Sequence, residues 1–567
     1  MNRWTRRSVA GLALGGAGAV VVAAEQVAGR ADGSRDAPPP PKEGGTAGRA
    51  ALAALDPRTQ RAVFLDEEGR SGWFTPEKGP APEDPLQGLY VAAQANGYHW
   101  RRVWDGVHGR PEWFGAVLND PSKAATTRAA IQACLDSCPS TQLSGGAYFV
   151  DGTLTILRNG TKLHGVAHTQ TDETGNDARR TTQIVCTSPT AAILRVGADA
   201  RARPGSLTEA VTLADFSVNR SVGPFTPKAG IEGAIGIELR WIVNCHFVRV
   251  FSINSARGWF CYGTVENYLS HCGALRDKPG TNPANDVFVG FHLDYSAPSG
   301  FNGGNASLYI DRCRCFPLTG RSTPPLTASY GIYLDKGWVD LWIDGFESGA
   351  GIEWGIYGIG TGVATKDFKT EDLFIRNCVL DPGGAGCIRL ADAGVQTQVH
   401  IIGNYLAPSG SGTGIVLEQV RGSVTIANNQ FVVAAAGTAT GVAVNGGTMT
   451  RLSGNSYLNL RQPIVCNSAF GISIEDTIQS VRPNGDYPAV GLRGNTRSGF
   501  VRCMVGGREK AYTAGVLVDG SVSDVEVNAS AIQEPVVAPG GRIQHGGITV
   551  RSPGPFGAGC LASGIVG

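Results

Sequence analysis

The stretch "TIANNQF", Thr425–Phe431, decides the fold, because close copies of it recur along the chain at short and even intervals. The copies are "FIRNCVL" (Phe374–Leu380), "HIIGNYL" (His400–Leu406) and "RLSGNSY" (Arg451–Tyr457). The recurring asparagines are 27, 25 and 26 residues apart: Asn377, Asn404, Asn429 and Asn455. A constant period in the twenties indicates a solenoid of stacked coils.

A second series of short strands begins with glycine. Its members are "GIELR" from Gly236, "GWFCY" from Gly258, "GFHLD" from Gly290, "GIYLD" from Gly331, "GIYGI" from Gly355, "GCIRL" from Gly386, "GIVLE" from Gly414 and "GVAVN" from Gly441. Apolar residues alternate with period two, which is typical of strands and not of helices. The hairpin turns of an antiparallel sandwich are sparse. The sequence therefore predicts an all-β fold, a right-handed parallel β-helix with coils about 4.8 Å apart and laddered Asn amides.

One amphipathic segment precedes the first coil. In "TTRAAIQACLDSC" (Thr126–Cys138), the small residues Ala129, Ala130, Ala133 and Cys134 share one helical face. The strand segment "GGAYFVDGTLTI" follows directly. Because the open end of a parallel stack needs to be covered, we expect this segment to form an N-terminal capping helix.

The first 31 residues are typical of an export signal. Arg3, Arg6 and Arg7 precede a weakly apolar run that is too short and too rich in glycine for a membrane span. The Arg6–Arg7 pair resembles a twin-arginine signal, and an ordinary secretory signal is the alternative. We therefore expect an exported protein, periplasmic or extracellular, with no membrane span.

Composition shifts divide the chain into five parts. We expect the export signal at 1–31, a linker at 32–60, an N-terminal segment leading into the solenoid at 61–115, the parallel β-helix at 116–468, and the last coils with a C-terminal cap or tail at 469–567. The linker contains the disordered-type stretch "RDAPPPPKEGG".

Charge and cysteine usage exclude several classes of function. The net charge is +1 and charged residues, 17% of the chain, are interspersed, so no basic stripe is available for nucleic acid. The 13 cysteines neither cluster in a short module nor form paired CxxC motifs. Cys245, Cys272, Cys313 and Cys378 each follow a polar residue, which favours buried core positions. We expect no metal site and no cofactor.

Strand alternation places chemically active side chains in two outward rows. The first row is Glu238, Phe260, His292, Tyr333 and Tyr357, and the second is Arg240, Tyr262, Asp294 and Asp335. Further along, the same positions become the inert Ile388, Val416 and Ala443. Because aromatic rings stack on sugars and charged groups bind hydroxyls, the block predicts a polysaccharide groove, with Lys336 as a further contact. A solvated sheet face with rings packed between coils is the alternative.

Asp294 and Asp335 are the candidate catalytic residues. If their coils are direct neighbours, the carboxylates lie about 5 Å apart, as in retaining glycosidases, whereas a two-coil separation suits an inverting mechanism. Two close carboxylates raise the pKa of one of them, which provides an acid beside a nucleophile. The alternative for each Asp is a turn residue at a strand end.

Several motifs resemble the pectate-lyase superfamily of β-helices, which includes phage tailspike depolymerases and secreted bacterial relatives. They are "DPLQGLYVA", "WRRVWDG", "PEWFGA", "AAIQACLDSC", "GGAYFVDGTLTI", "GGNASLYIDRC" and "YGIYLDKG", within a likeness that extends from Ala62 to Asn455. The resemblance implies a polysaccharide hydrolase or lyase, a homotrimer, and a site on the long side of the helix or between chains. The export signal and the absence of an evident virion-binding domain favour a secreted bacterial relative.

The resulting prediction is a glycoside hydrolase, and three alternatives stay open. A polysaccharide lyase would use Lys336 or Tyr333 as base, with Arg240 or Ca²⁺ neutralising a uronate carboxylate. A non-catalytic protein that binds exopolysaccharide is the second alternative. An epimerase or transferase on the same fold is the third.

Overall fold

Parallel strands form most of the chain in the computed structural model. The structure describes residues 45–95, 97–169, 180–200, 204–220, 234–276, 287–294, 305–317, 328–335, 338–359, 371–391, 397–433, 438–480, 486–507, 512–519, 522–531 and 536–537. The export signal predicted at 1–31 lies outside these residues. None of the helices in the described part of the chain is long and apolar enough to cross a membrane.

A small antiparallel sheet precedes the coils. Its strands are Val63–Leu65, Gly72–Lys78, Tyr98–Arg102 and Tyr90–Ala92, in that spatial order. The helix Arg49–Ala54 contributes Leu52 to the core of this sheet, beside Phe74 and Trp100. This helix lies within the segment 32–60 that the sequence assigns to a linker.

Three short helices connect this sheet to the first coil. They are Pro111–Phe114, the 3-10 helix Pro121–Lys123 and Ala124–Ser137. The last one covers most of the predicted segment Thr126–Cys138. Its residues Ile131 and Cys134 are fully buried and belong to the core of the coils. A capping role for this helix is part of the proposal below.

Each complete coil passes through three stacks of parallel strands, named here A, B and C. Stack A contains Leu154–Ile156, Leu194–Gly197, Ile235–Val243, the first half of Arg257–Ser270, Val287–Leu293, Ala328–Asp335, Trp354–Ile359, Gly386–Ala391, Thr413–Glu418, Thr440–Asn445, Gln462–Asn467, Val490–Arg493, Val516–Val518 and Val536–Val537. The pairing is parallel throughout, so the prediction of stacked parallel coils is confirmed.

Stack B begins with His108–Gly109, Ser140–Gln142 and Lys162–His164, and continues with the first parts of Thr212–Arg220 and His246–Ile253 and the second half of Arg257–Ser270. The short strand Thr208–Glu209 pairs with the end of Ile235–Val243. Its later strands are Asn305–Asp311, Trp338–Asp344, Glu371–Arg376, Thr397–Ile402 and Gly422–Ala427. The long strands Thr448–Leu458, Phe470–Ser480, Arg497–Gly507 and Ser523–Ala531 run from stack B into stack C.

Stack C contains Gly146–Val150, Thr182–Cys186, the ends of Thr212–Arg220 and His246–Ile253, Gly273–Arg276, Arg314–Pro317, Glu347–Ser348, Val379–Leu380, Tyr405–Leu406 and Gln430–Val432. The inward side chains of all three stacks form one continuous apolar core. Regular strand pairing thus extends from the first coil to the last described strand.

The recurring glycines of stack A have a steric cause. A Cβ placed on Gly331 would lie 2.4 Å from the carbonyl oxygen of Gly355 in the next coil, and one on Gly290 would lie 2.6 Å from the oxygen of Gly331. Real Cβ atoms do not approach backbone oxygens this closely. Glycine therefore recurs because successive coils nearly touch at this corner.

The predicted amide ladder exists, with one change of membership. Asn429 donates its Nδ2 hydrogen to Oδ1 of Asn455 (2.9 Å), and Asn404 donates to Oδ1 of Asn429 (2.9 Å). The fourth predicted member, Asn377, lies one residue earlier at a left-handed corner with φ 53°, and Cys378 occupies the ladder position. The prediction was wrong there because both Asn and Gly suit the corner, as Gly403 shows with φ 71°.

Asp476 ends the ladder. Its Oδ1 accepts from the backbone N–H of Asn455 (2.9 Å), and its Oδ2 accepts from the hydroxyl of Tyr457 (2.9 Å). The residue is 4% exposed, and burial raises the pKa of its carboxyl to about 6. A titratable group thus lies in the core of the late coils.

The twelve cysteines in the described residues are all buried, which confirms the expectation of core positions. Cys272 and Cys313 belong to the same inward corner column as Cys378 and the Asn ladder, one coil apart. Their thiols donate to backbone carbonyl oxygens, at 3.3 Å to Phe247 and 3.4 Å to Leu269. Cys560 lies outside the described residues.

Six rings stack along the outer face of stack B on successive coils: His246, Tyr268, Tyr309, Trp342, Phe374 and His400. Neighbouring planes are within 17° of parallel, and the closest centroids, those of Trp342 and Phe374, are 3.9 Å apart. The ring faces contact one another, so mainly ring edges face outward. We interpret this ring ladder as a stabilising element between coils.

Candidate functional site

The two predicted rows lie on the outer face of stack A in the expected register. Glu238 pairs with Phe260, Phe260 with His292, His292 with Tyr333, and Tyr333 with Tyr357. The next member of this row is Arg389 and not the predicted Ile388, which is fully buried in the core. The shift arises because Gly386 pairs with Trp354, so that Cys387 takes the place that glycine has in earlier coils. Val416 and Ala443 then follow as expected.

Asp294 and Asp335 lie on directly neighbouring coils. Leu293 pairs with Leu334 in parallel register, and each Asp is the next residue. Adjacent parallel strands are about 4.8 Å apart, so the two carboxylates project from neighbouring backbone positions. The one-coil case considered from the sequence is therefore the one that applies.

The backbone at Asp294 is fixed by buried side chains. The carbonyl oxygen of Asp294 accepts from Nδ2 of Asn305 (2.8 Å), and its N–H donates to the oxygen of Cys261 (2.9 Å). The indole N–H of Trp338 donates to the oxygen of Leu293 (3.3 Å). Asn305 and Trp338 are fully buried, so the end of this strand is held firmly.

Four of the predicted binding residues are covered, although they project outward from the core of the coils. Exposure is 1% for Glu238, 3% for Phe260, 5% for Tyr262 and 5% for His292. Tyr262 and Phe260 belong to a separate apolar cluster with Trp241, against which Ala198 and Leu207 pack. These four side chains thus project to the outer face, as the alternation predicted, but they are not exposed there.

Glu238 is enclosed by two arginines. Its Oε2 accepts from Arg195 Nε (2.6 Å), and its Oε1 accepts from Arg240 Nε (2.5 Å). Arg240 also lies over the rings of Phe260 and Tyr262, at 5.4 and 5.8 Å. Glu238 and Arg240 bind each other, so their charged groups stabilise the outer face and are less available to a ligand.

His292 is a neutral imidazole inside this cover. Its ring lies edge-to-face between Phe260 (5.4 Å) and Tyr333 (5.0 Å). Burial, assisted by the charge of Arg257, lowers the pKa of His292 to about 3. Nδ1 of His292 is buried without a hydrogen-bond partner in the described residues. A buried and uncharged imidazole is not suited to acid catalysis near neutral pH.

The exposed end of the patch is an aromatic cluster. Tyr333 and Tyr357 are partly exposed with centroids 5.8 Å apart, and Tyr330 lies 5.2 Å from Tyr333 and 4.7 Å from Tyr357. Trp354 adds a fourth ring 6.2 Å from Tyr357. Burial and then the charge of Asp335 raise the pKa of Tyr333 to about 12, so Tyr333 stays protonated.

Arg389 closes this cluster on the side away from His292. Its guanidinium lies over Tyr357 (5.2 Å) and Trp354 (6.0 Å), and it donates to the hydroxyl of Tyr357 (3.2 Å) and to Glu418 (2.8 Å). The partly buried Glu353 immediately precedes the strand Trp354–Ile359, and burial raises the pKa of its carboxyl. The sequence predicted no role for Tyr330, Trp354, Arg389 or Glu353. The register shift at Gly386 places Arg389, instead of the expected Ile388, beside Tyr357. Tyr330, Trp354 and Glu353 lie just before the glycines that begin the predicted strands.

The last two points concern Lys336 and metal ligands. Lys336 lies outside the described residues. Within those residues no group of three or more His, Cys, Asp or Glu side chains is arranged to hold a metal ion.

No protein family and no curated protein matches this sequence. Solved structures match in fold. The tailspike protein of Escherichia coli bacteriophage HK620, as a glutamate-to-glutamine variant in complex with a hexasaccharide, superposes with a TM-score of 0.56 at 13% identity, covering 81% of this chain and 83% of that one. The same tailspike without that substitution, in complex with a pentasaccharide, gives a TM-score of 0.54 at 12% identity, covering 81% and 84%.

A third match is the full-length tailspike protein 2 of a bacteriophage of E. coli O157:H7, with 12% identity and a TM-score of 0.33. The match covers 86% of this chain but only 51% of that one, so this chain spans about half the length of that tailspike. At these identities the likeness concerns the fold alone. The protein has the parallel β-helix fold of phage tailspike proteins.

Proposed function

We propose that this protein is a polysaccharide-cleaving enzyme, a glycoside hydrolase, that acts at Asp294 and Asp335. The observation that carries the proposal is their position on directly neighbouring coils, at the edge of the aromatic cluster of Tyr333 and Tyr357. The oligosaccharides bound to the HK620 tailspike support carbohydrate as the ligand class.

The close spacing favours a retaining mechanism. One carboxyl protonates the glycosidic oxygen while the other attacks the anomeric carbon, so that the C–O bond to the leaving sugar breaks as an ester to the enzyme forms. Water then attacks the same carbon and gives its proton to the first carboxylate, which releases the sugar and regenerates the pair. Tyr333, Tyr357 and Trp354 would hold sugar rings, and Arg389 would bind hydroxyls.

A polysaccharide lyase has weaker support. Tyr333, one of its candidate bases, has a raised pKa, and Arg240, its candidate for neutralising a uronate, is already bound to Glu238. Ca²⁺ belongs only to this alternative, and the hydrolase needs no cofactor. A non-catalytic polysaccharide-binding protein is the other alternative.

The proposal extends to the whole chain. Export through the signal at 1–31, by the twin-arginine or the general route, would place the protein in the periplasm or outside the cell. The helix Ala124–Ser137 would cap a right-handed solenoid, and a homotrimer follows from the sequence resemblance.

One experiment separates the alternatives. The exported form is incubated with a panel of bacterial and plant polysaccharides, and the products are analysed. New reducing ends without double bonds support the hydrolase, ultraviolet absorbance from an unsaturated uronate would indicate a lyase, and retention on a polymer without cleavage would indicate a binding protein.

A further inference from the structure

We propose a second ligand site, for an oxyanion such as the carboxylate of a sugar acid, in a pocket at the beginning of stack B. The pocket has a volume of about 400 Å³ and is lined by Arg110, Gln142, Leu143, Ser144, Gly145, His164, Gly165 and Val166. This volume is near the lower end of the range of small-molecule sites. It lies on a different stack from Asp294 and Asp335, so the inference does not depend on the proposed hydrolase.

The wall of the pocket is held in place by buried hydroxyl groups. Thr182, which is fully buried, donates its hydroxyl hydrogen to the carbonyl oxygen of Ser144 (3.0 Å) and accepts from the N–H of Val166 (2.9 Å). The buried phenol of Tyr148 accepts from the N–H of Ser144 (2.7 Å) and donates to Glu112 (2.6 Å). The two corner segments that form the wall are therefore fixed relative to each other before any ligand binds.

Four polar side chains that line the pocket have no partner among the described residues. Arg110, Gln142, Ser144 and His164 make no side-chain hydrogen bond or ion pair within the residues that the structure describes. Elsewhere in the coils, the more buried Arg195 and Arg389 bind carboxylates, whereas Arg110 is exposed at the pocket. Four polar side chains around one cavity without protein partners are typical of a ligand site.

The lining selects for negative charge. A guanidinium donates only, and an amide, a hydroxyl and a neutral imidazole can each donate one further hydrogen bond. Among the residues that the structure describes, no carboxylate lines the pocket. Asp215, an acidic group within electrostatic reach of His164, is bound by Arg249 (2.8 Å), whereas Lys162 adds positive potential. A ligand with several acceptor oxygens and a negative charge satisfies this donor set.

The test is calorimetric titration of the intact exported protein with glucuronate, inorganic sulfate, inorganic phosphate and glucose at constant ionic strength. We expect the anions to bind and glucose not to bind. Tighter binding of glucuronate would identify the ligand as a sugar acid, and tighter binding of sulfate or phosphate would identify a free-anion site.

The variants Arg110→Gln and Gln142→Leu should each weaken anion binding, the first by about ten-fold or more, because a charge-assisted hydrogen bond is lost. Arg497→Gln is the matched control, since Arg497 is also exposed but lies in the late coils. Circular dichroism checks that the variants are folded. The absence of binding by all three anions, or equal weakening in Arg110→Gln and Arg497→Gln, would overturn the proposal.

Discussion

Asp344 lies opposite Asp311 in parallel register, on the same two coils that carry Asp335 and Asp294. The protein therefore holds two pairs of acidic residues with equivalent backbone spacing on different faces. The pair of stack B adjoins the ring ladder, and Asp344 accepts a hydrogen bond from Nδ2 of Asn377 (2.9 Å). This second pair is an internal control for the first.

We predict that Asp294→Asn and Asp335→Asn each reduce polysaccharide cleavage by about a thousand-fold or more, because each would remove a group that forms or breaks a bond in the proposed reaction. Asp311→Asn and Asp344→Asn should leave kcat within about two-fold, since surface substitutions have small effects. Reducing-end assays on the four variants provide the measurement. Full activity in both variants of the first pair, with loss in Glu353→Gln, would move the acid to the far side of the aromatic cluster.

Arg389 offers a test of substrate positioning. Replacement by Gln removes the cation that lies over Tyr357 and Trp354 and leaves Glu418 without its partner. We expect KM to rise about five-fold or more, with a smaller change in kcat, because Arg389 would contact the sugar and not the reacting bond. Arg451→Gln is the control, since Arg451 is 63% exposed on another stack. An unchanged KM for Arg389→Gln would exclude this role.

Asp476 should make folding stability depend on pH. Its pKa of about 6 in the folded protein exceeds the ordinary value of 3.8, so the folded state binds more protons between these two values. The stabilisation is complete below pH 3.8 and is lost as the pH rises through 6, by up to about 3 kcal/mol. Asp476→Asn should therefore be more stable than the parent above pH 6 and should flatten this part of the profile.

Denaturant unfolding at a series of pH values measures this effect. Glu526→Gln, in an exposed position two coils further on, is the control and should leave the profile unchanged. A parent profile without a fall in stability between pH 3.8 and 6 would contradict the assignment.

The amide ladder predicts unequal effects for two similar asparagines. Asn429→Ala removes the bonds to Asn404, Asn455 and the oxygen of Ile401, and leaves buried groups unsatisfied. We expect a loss of about 3 kcal/mol. Asn377→Gly should cost less than about 1 kcal/mol, because glycine readily adopts φ 53°. Chemical denaturation of both variants compares the two positions, and equal losses would contradict the ladder.

Gly331→Ala tests the close contact between coils beside the site. Its new Cβ would lie 2.4 Å from the oxygen of Gly355, so the strand that carries Tyr333 and Asp335 has to move. We expect lower stability and lower activity together. Gly205→Ala, where no atom lies within 4 Å of the added carbon, should change neither. Thermal unfolding measures the stability of both variants, and reducing-end assays measure their activity. Unchanged stability and activity in Gly331→Ala would show that the contact is unimportant.

Local alternation was sufficient to predict the stacks and the adjacency of Asp294 and Asp335, because a strand pairs residue by residue with its neighbour. It failed at Gly386, where Cys387 takes the glycine position and displaces the register by one. The same one-residue ambiguity misplaced Asn377. Such shifts occur at corners, where Asn, Gly and other residues are interchangeable.

The degree of burial could not be predicted in the same way. Alternation identifies which side chains leave the core, but it contains no information on what lies outside them. Trp241 adopts a left-handed conformation with φ 55° and packs against Tyr262 at 5.4 Å, a contact between neighbouring coils. The ion pair between Arg195 and Glu238 likewise joins residues 43 positions apart.

At the glycine corner, the length of the connecting segments varies while the register of the strands stays constant. Successive corner glycines are 41 residues apart between Gly290 and Gly331 (331 − 290) but only 24 apart between Gly331 and Gly355 (355 − 331), yet the strands remain in register. Length differences are therefore absorbed between strands. Relatives of this protein could exchange whole connecting segments while the strands that carry Asp294 and Asp335 keep their register.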